Sequence, residues 1–370
     1  MSEPQTRHTF ATTVLILRRG LTILTAILGL ASIALLMLSQ WHTSAPIVVG
    51  FFSCLALRLK MSRLYSGFAF TFVILAAVAA SLYFPHWFVG VGDVEYKSLI
   101  VPLLMLIMFA MGTSLSINDF VRIAKMPKGI ILGIVCQYSI MPAVGVSLAA
   151  ASGLPAEIAA GIILVGCSPS GLASNVMAYI SGANLALSLS LTAVSTLLAP
   201  FLTPLYMNML AGQYVPIDGL AMFYSISKIV FLPLIAGLCF NHFLHGRFPR
   251  LDRAMPTLSM LSIAIIITII TAAGRDSLLA IGGVLIAVVL LHNLLGYTLG
   301  YYGARLGGLD EASARTIAFE VGMQNSGLAS GIALEMGKVA TMGLAPAVFS
   351  PLMNITGSSL ATWWRKHDQT

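Results

Sequence analysis

Long apolar runs separated by short polar breaks extend along almost the whole chain. Only 9% of the 370 residues are charged and 58% are hydrophobic, whereas a soluble domain carries about 25% charged residues. So few charges cannot cover a water-facing surface. This excludes a soluble enzyme, a nucleic-acid-binding protein, a disordered chain and a secreted disulfide-rich scaffold. Because helices satisfy their own backbone polar groups within a bilayer, the pattern predicts an all-α polytopic membrane protein.

The apolar runs predict twelve membrane spans. Crossing a bilayer takes about 20 residues. The second run is short for a crossing, although Arg58 and Lys60 could extend from its end to the interface. The last ten runs are long enough. In chain order the predicted spans cover 20–40, 45–57, 64–84, 98–114, 128–151, 157–181, 185–210, 221–241, 256–273, 278–304, 311–335 and 339–364.

The basic residues indicate the orientation, because Lys and Arg collect in cytoplasmic loops. We take the segment before residue 64 as cytoplasmic and let the chain alternate from there. The inside loops then carry far more basic residues than the outside loops, which favours ten spans after residue 60 with both ends inside. The inside set is Arg58, Lys60, Arg63, Arg122, Lys125, Lys128, Arg247, Arg250, Arg253, Arg305, Arg315, Arg365 and Lys366, and the outside set is Lys97, Lys228, Arg275 and Lys338.

Residues 1–60 form a predicted N-terminal extension with one or two extra hydrophobic helices. Two helices, as a hairpin, would keep Arg7, Arg18 and Arg19 on the inside, whereas one helix would place them outside. The stretch lacks a clear small-residue cleavage site, so it does not read as a signal peptide. The other interpretation is that the start of the gene is assigned too far upstream and that the protein begins at Met61.

The sequence contains an internal repeat. The string SGLAS at 170–174 recurs at 326–330, and the same offset of 156 residues carries Gln137 onto Asn293. Five spans separate the copies, and an odd number turns the second half upside down relative to the first. Inverted repeats are typical of secondary transporters, whereas the alternative is chance similarity among small residues. The prediction is a first repeat at 61–210 and a second at 211–370, with core and panel parts interleaved.

Both copies lie in segments that should not form smooth helices. Pro169 removes a backbone donor, and glycines flank it and follow Glu320 in the second copy. Unwound backbone at membrane depth is tolerated only inside protein or along a watery cavity. Its free carbonyls suit Na⁺, and the half-helix N-termini that follow each break favour an anion.

Glu320 is the only acidic residue well inside a predicted span. A buried carboxylate is costly unless it is paired or binds an ion, and Arg315 lies near the start of the span. The polar residues of neighbouring spans carry neutral oxygens, which together with one carboxylate suit Na⁺ better than a soft metal. Two alternatives stay open: a protonated Glu320 that stabilises packing, and proton coupling through the same residue.

Two motifs carry a family resemblance. The string GCSPSGLASN at 166–175 and the string EVGMQNSG at 320–327 resemble the crossover motifs of the bile acid:sodium symporter family. The similarity runs from about residue 61 to 366. Among the members of this family, the chain resembles the bacterial ones of the pantoate/ketopantoate type. It implies ten helices in inverted five-helix repeats, divided into a core and a panel. The broken fourth and ninth helices would cross at 157–181 and 311–335.

The resemblance also implies two Na⁺ sites and a substrate site. Family members often carry Thr where this chain has Leu172, so substrate identity stays open. One Na⁺ site would use Ser174, Asn175, Ser188, Thr192 and Glu320. The other would use Gln137, Glu320, Val321, Met323 and Gln324, with Val321 and Met323 supplying backbone carbonyls. The substrate would contact Gly171, Leu172, Ala173, Asn325, Ser326 and Asn293.

These features predict a sodium symporter for a small organic anion such as pantoate, ketopantoate or another 2-oxo acid, in the inner membrane of a bacterium. Two Na⁺ against one carboxylate leave a net positive charge that a monoanion would neutralise. The alternatives are a bile acid or sterol-conjugate symporter and a proton-coupled transporter.

Other classes of membrane protein fit the sequence less well. The enzyme motifs G-x-S-x-G and H-E-x-x-H are both absent from the sequence, and a channel would need a continuous polar pore. The partners expected are the anion, Na⁺ and the lipid bilayer, with no nucleic acid and no obligate protein partner.

Overall fold

A computed structural model describes residues 3–38, 40–62, 68–116, 126–244 and 247–368. Nearly all of these residues are helical, and their strand structure is confined to one short antiparallel pair. Three of the basic residues used above for orientation lie outside the described ranges, namely Arg63, Arg122 and Lys125.

Among the described residues, the first compact unit, Met1–Phe88, contains three long helices and the start of a four-residue helix. Helices α1 (Glu3–Met37) and α2 (Trp41–Lys60) pack as a hairpin, and α2 packs on α3 (Ala69–Tyr83). The expectation that the second apolar run is short for a crossing is wrong. Polar residues on both sides of it continue the helical hydrogen bonds, so α2 has 20 residues.

The second compact unit, Val89–Thr370, contains the rest of the described chain. A short helix α4 (His86–Val89) leads into the strands β1 (Gly90–Val91) and β2 (Val94–Glu95). A 3₁₀ turn, Tyr96–Leu99, then opens α5 (Ile100–Ser114). The helices that follow are α6 (Pro127–Ser152), α7 (Ala156–Cys167), α8 (Ala173–Ile180), α9 (Leu185–Tyr206, continued by a π turn at Met207–Ala211), α10 (Gly219–Leu244), α11 (Pro249–Ala273), α12 (Arg275–Leu306), α13 (Glu311–Gly322), α14 (Ser326–Glu335) and α15 (Leu344–His367).

By length and composition, eight helices of the described chain can cross a membrane. This confirms the predicted all-α polytopic membrane protein. The other four predicted spans are of three kinds. Helix α3 has only 15 residues, and α15 is rich in hydroxyl and basic side chains. The remaining two, at 157–181 and 311–335, are the broken spans, each observed as two short helices: α7 with α8, and α13 with α14.

Small residues allow the helices of the second unit to pack closely. A Cβ atom at Gly112 of α5 would lie 2.3 Å from the carbonyl oxygen of Leu234 in α10, and one at Gly161 of α7 would lie 2.3 Å from that of Met342. Such contacts are typical of membrane helices, which associate through close packing and not through exclusion of water. Helices α6, α9, α12 and α15 pack around the two broken spans.

Candidate functional site

The two breaks lie against each other and pair through their backbones. The Gly171 N–H donates to Met323 O at 2.8 Å, and the Asn325 N–H donates to Pro169 O at 2.8 Å. Ser170 and Gln324 form the antiparallel bridge between these two bonds. A Cβ atom at residue 171 would lie 2.7 Å from Gln324 O, so this contact requires glycine. The predicted breaks therefore meet at a single crossing.

Local sequence explains where each break begins. Ser168 precedes a proline and has extended backbone (φ −81°, ψ 157°), as expected before Pro. Met323, at the end of α13, is also extended (φ −110°, ψ 99°). After the second break, the Asn325 side chain caps α14 by accepting the Leu328 N–H at 3.0 Å.

The start of α13 is capped outside the membrane-spanning segments. The Asp310 carboxylate accepts the Ser313 N–H at 2.9 Å and the Ser313 hydroxyl at 2.9 Å. The backbone bond is the largest of the effects that lower the pKa of Asp310. The carboxylate thus stays ionised at neutral pH and satisfies a helix N–H that would lack a partner.

The Glu320 carboxylate is 1% exposed and is surrounded by hydroxyl groups. Its Oε1 accepts from Ser174 Oγ at 2.6 Å and from Ser188 Oγ at 2.6 Å. Its Oε2 accepts from Thr192 Oγ1 at 2.9 Å. Asn175 Oδ1 lies 2.8 Å from Ser188 Oγ. The structure thus brings together all five residues predicted for the first Na⁺ site, from α8, α9 and α13.

This cluster has the chemistry of a site for a hard cation. It contains one carboxylate, three hydroxyls and one amide carbonyl. In the described part of the chain, the side chains that donate to the Glu320 carboxylate are hydroxyls, and none is basic. Each hydroxyl that donates its hydrogen to Glu320 keeps lone pairs that can face a cation. Oxygen ligands of this kind suit alkali and alkaline-earth ions.

The residues predicted for the second Na⁺ site form a neighbouring network. Gln137 Nε2 donates to Gln324 Oε1 at 2.8 Å and to Ser168 O at 3.0 Å. Gln324 Nε2 donates to Val321 O at 2.5 Å. The fourth member, Met323, offers a carbonyl that already accepts from the first break. These four residues are brought together, although none of these bonds includes the Glu320 side chain.

The predicted substrate residues divide into two groups. Leu172 and Ala173 are partly exposed beside the crossing, where Gly171 is buried in the backbone pairing. Asn325 and Ser326 begin α14, and the buried hydroxyl of Ser326 has no hydrogen-bond partner among the described residues. The sixth predicted residue, Asn293, differs from them, since it is 0% exposed and both ends of its amide bind other parts of the protein.

Comparison with known proteins identifies the family. A family model described as Sodium Bile acid symporter family matches residues 101–281. A Bacillus subtilis (strain 168) protein named "Uncharacterized sodium-dependent transporter YocS" is 40% identical over 303 residues, which cover 82% of this chain and 92% of that protein. The chain belongs to the sodium bile acid symporter family. The resemblance read from the two break motifs is confirmed.

Plant members of the symporter family are also similar. The proteins named "Probable sodium/metabolite cotransporter BASS1, chloroplastic" are 38% identical over 259 residues in Oryza sativa subsp. japonica and 37% identical over 264 residues in Arabidopsis thaliana. These matches cover 70% and 71% of this chain but only 64% and 66% of the plant proteins. The family and these relatives are transporters and not enzymes.

Sequence reasoning missed two polar residues of this symporter's core. Ser195 in α9 lies with its Oγ 3.1 Å from Ser170 Oγ, and its carbonyl accepts the Tyr138 hydroxyl at 2.7 Å. Thr356 in α15 lies against Asn293. Each is a hydroxyl residue, Ser195 in an apolar helix and Thr356 in a helix with several other hydroxyls, and neither gives a strong signal. Such hydroxyls commonly bind a carbonyl of their own helix, and only their neighbours in space distinguish them.

Proposed function

We propose that the chain is a sodium-coupled symporter that imports a small organic monoanion, such as pantoate, ketopantoate or another 2-oxo acid, together with two Na⁺. The observation that carries the proposal is the buried Glu320 carboxylate, whose side-chain donors among the described residues are three hydroxyls and no basic group. A buried charge of this kind is expensive unless an ion compensates it. A cation that arrives with the substrate supplies that compensation.

Charge balance supports two cations and one anion. With Na⁺ at the Glu320 cluster and at the Gln137–Gln324 network, the core carries a net positive charge. A monoanion would neutralise it. Without the cations the core carries the carboxylate alone and repels the anion, so Na⁺ binds first. This order couples the two solutes.

The crossing offers a place for the anion. Helices α8 and α14 both begin there, and helix N-termini favour negative charge. Ser326 is 4% exposed and its hydroxyl has no hydrogen-bond partner in the part of the chain that the structure describes, so it is available to a carboxylate oxygen. Leu172 and Ala173 offer apolar surface beside it. This combination supports a small acid with a short hydrocarbon part.

The Na⁺ gradient acting on two ions, together with the membrane potential, supplies enough free energy to accumulate the substrate. A tenfold gradient contributes about 1.4 kcal/mol per ion. A membrane potential of 100 mV contributes about 2.3 kcal/mol for the one net charge moved. The sum of about 5 kcal/mol sustains a substrate gradient of several thousandfold.

The distribution of basic residues supports a bacterial inner membrane location with both termini in the cytoplasm. It also supports the arrangement of residues 61–210 and 211–370 as inverted repeats. The two breaks contribute to the same inference, since each predicted repeat supplies one of them to the crossing.

Uptake into proteoliposomes tests the proposal. Glu320→Gln keeps the size of the side chain and removes its charge, so Na⁺-driven uptake should be lost. Glu335→Gln is the matched control, because Glu335 is exposed at the end of α14 and should leave uptake unchanged. Uptake that needs no Na⁺ gradient would overturn symport with sodium. Uptake driven by a pH gradient instead would establish the proton-coupled alternative.

Competition in the same assay identifies the anion. We expect pantoate or a 2-oxo acid to inhibit uptake of a labelled substrate more strongly than taurocholate does. Stronger inhibition by taurocholate would indicate a bile acid or sterol-conjugate transporter.

A further inference from the structure

Asn293 in α12 occupies the repeat position that corresponds to Gln137 in α6. Each of the two side-chain amides donates a hydrogen bond to a backbone carbonyl at one of the breaks. Gln137 donates to the carbonyl of Ser168 in the first break at 3.0 Å. Asn293 Nδ2 donates to the carbonyl of Gly322 at the second break at 2.8 Å. Each break therefore has one backbone carbonyl held by an amide from a neighbouring helix.

The orientation of the Asn293 amide follows from its partners. Gly322 O can only accept, so the NH₂ group of Asn293 must face it. The Asn293 oxygen then faces Thr356 Oγ1, 2.6 Å away in α15. That oxygen can only accept, so the Thr356 hydroxyl must donate. Thr356 therefore gives its one hydrogen to Asn293 instead of to Leu352 O, 2.9 Å away in its own helix.

The break leaves Gly322 O in need of this partner. In a continuous helix it would accept from the N–H of Ser326. That N–H instead donates to Gln324 O at 2.9 Å. Met323 O accepts from the first break, and Val321 O accepts from Gln324. Asn293 thus satisfies the carbonyl that lies between the two proposed Na⁺ ligands.

Close packing makes α12 a rigid support for the second break. A Cβ atom at Gly296 would lie 2.9 Å from the Cα of Gly322, and one at Gly322 would lie 2.2 Å from the ring of Tyr297. Asn293 is buried and both ends of its amide are bonded to the protein, so unlike Ser326 it has no unsatisfied polar atom to offer a substrate. A hydrogen bond made from such a support holds the peptide plane between Gly322 and Met323, which is the plane between those that carry the Val321 and Met323 carbonyls.

We infer that Asn293 and Thr356 are positioning residues for sodium: the chain Thr356–Asn293–Gly322 O sets the direction of the Val321 and Met323 carbonyls at the proposed second Na⁺ site. This rests on the proposed function. It replaces the substrate contact predicted for Asn293 with an indirect role in ion binding. Loss of the Thr356 hydroxyl should weaken Na⁺ binding without removing any ligand.

The test compares three variants of α15 in the purified full-length protein. Thr356→Val removes the hydroxyl and keeps the shape, Thr356→Ser keeps the hydroxyl, and Thr362→Val is the matched control. Among the described residues, the Thr362 hydroxyl bonds only Ser358 O in its own helix, at 2.7 Å. The melting temperature is measured as a function of NaCl concentration, without substrate. Choline chloride replaces NaCl to hold the ionic strength constant.

For Thr356→Val we expect the half-maximal Na⁺ concentration to rise about fivefold, the effect of one neutral hydrogen bond of about 1 kcal/mol. Thr356→Ser and Thr362→Val should match the wild type. In proteoliposomes the Na⁺ half-saturation should rise likewise, with the substrate KM at saturating Na⁺ unchanged within about twofold. Thr356→Ala makes the same prediction if the valine variant does not fold.

Wild-type Na⁺ dependence in a folded Thr356→Val or Thr356→Ala variant would overturn the inference. An equal loss of Na⁺ and substrate affinity would also overturn it, because that result indicates a general structural role. Absence of any Na⁺ response in the wild-type protein would instead refute the proposed function, on which the inference rests.

Discussion

At the scale of single residues, the hydroxyl groups around Glu320 give the carboxylate its chemistry. Ser174 and Ser188 share Oε1, and Thr192 binds Oε2. Hydrogen bonds to a charged acceptor are stronger than those between neutral groups. The hydroxyls therefore stabilise the charge of the carboxylate, and at the proposed Na⁺ site their oxygens would serve as ligands.

Ser188 and Ser190 in α9 allow a matched comparison. Ser188 Oγ donates to Glu320 and lies 2.8 Å from Asn175 Oδ1, whereas Ser190 Oγ donates to Ala186 O in its own helix and has no other side-chain bond among the described residues. Ser188→Ala removes a proposed ligand and a charge-assisted bond, so Na⁺ affinity should fall at least about tenfold. Ser190→Ala should leave it unchanged. Na⁺ titration of uptake measures both, and equal effects of the two changes would contradict this account of the cluster.

At the scale of elements, the two broken spans are tied at the crossing and at both ends. At one end Glu157, in the first turn of α7, pairs with Lys338, and it accepts from Thr341 at 2.5 Å. At the other end the Asn184 N–H, before α9, donates to Ala312 O in α13 at 3.3 Å. The start of each broken span is thus held by the segment that follows the other.

Exchange of charges tests the tie at the first end. Glu157→Lys or Lys338→Glu alone places like charges together, so each should lower the melting temperature of the purified protein. The double variant restores opposite charges and should recover most of the loss. Both side chains are partly exposed, at 38% for Glu157 and 26% for Lys338, so we expect each single effect to be modest. Additive losses in the double variant would show that the pair does not couple these elements.

At the scale of the whole molecule, the small number of charged residues bears on both the membrane environment and the charge moved in transport. A chain with 9% charged residues places its acidic groups mainly in loops and at helix ends. Glu320 is the exception, and the proposed stoichiometry of two Na⁺ per monoanion follows from its single charge. Such a cycle moves one net positive charge inward.

The transport cycle should therefore be electrogenic. In proteoliposomes with a K⁺ diffusion potential set by valinomycin, an inside-negative potential should accelerate Na⁺-driven uptake, and substrate addition should evoke an inward positive current. The size of the effect follows from about 2.3 kcal/mol per charge at 100 mV. Uptake that is independent of potential would indicate one Na⁺ per monoanion instead.

Most of the helices could be predicted from the sequence. The two breaks were also predictable, because Pro169 and the neighbouring glycines are local signals. The length of α2 was not, since its polar ends carry no apolar signal although they continue the helix. Among the site residues, Glu320 stood out as a lone acid in an apolar span, whereas Thr356 and Ser195 did not.

The sequence by itself determined the membrane environment, the helical class and which acidic residue lies well inside an apolar span. Apolar content and helix breaking are properties of neighbouring residues, so they can be read directly. Only the tertiary structure decided which atoms face that acid and that Asn293 supports the second break. Its decisive bonds join residues that are far apart, such as Thr192 with Glu320 at a separation of 128 and Gln137 with Gln324 at a separation of 187. Such contacts depend on how helices pack against one another, which no local pattern records.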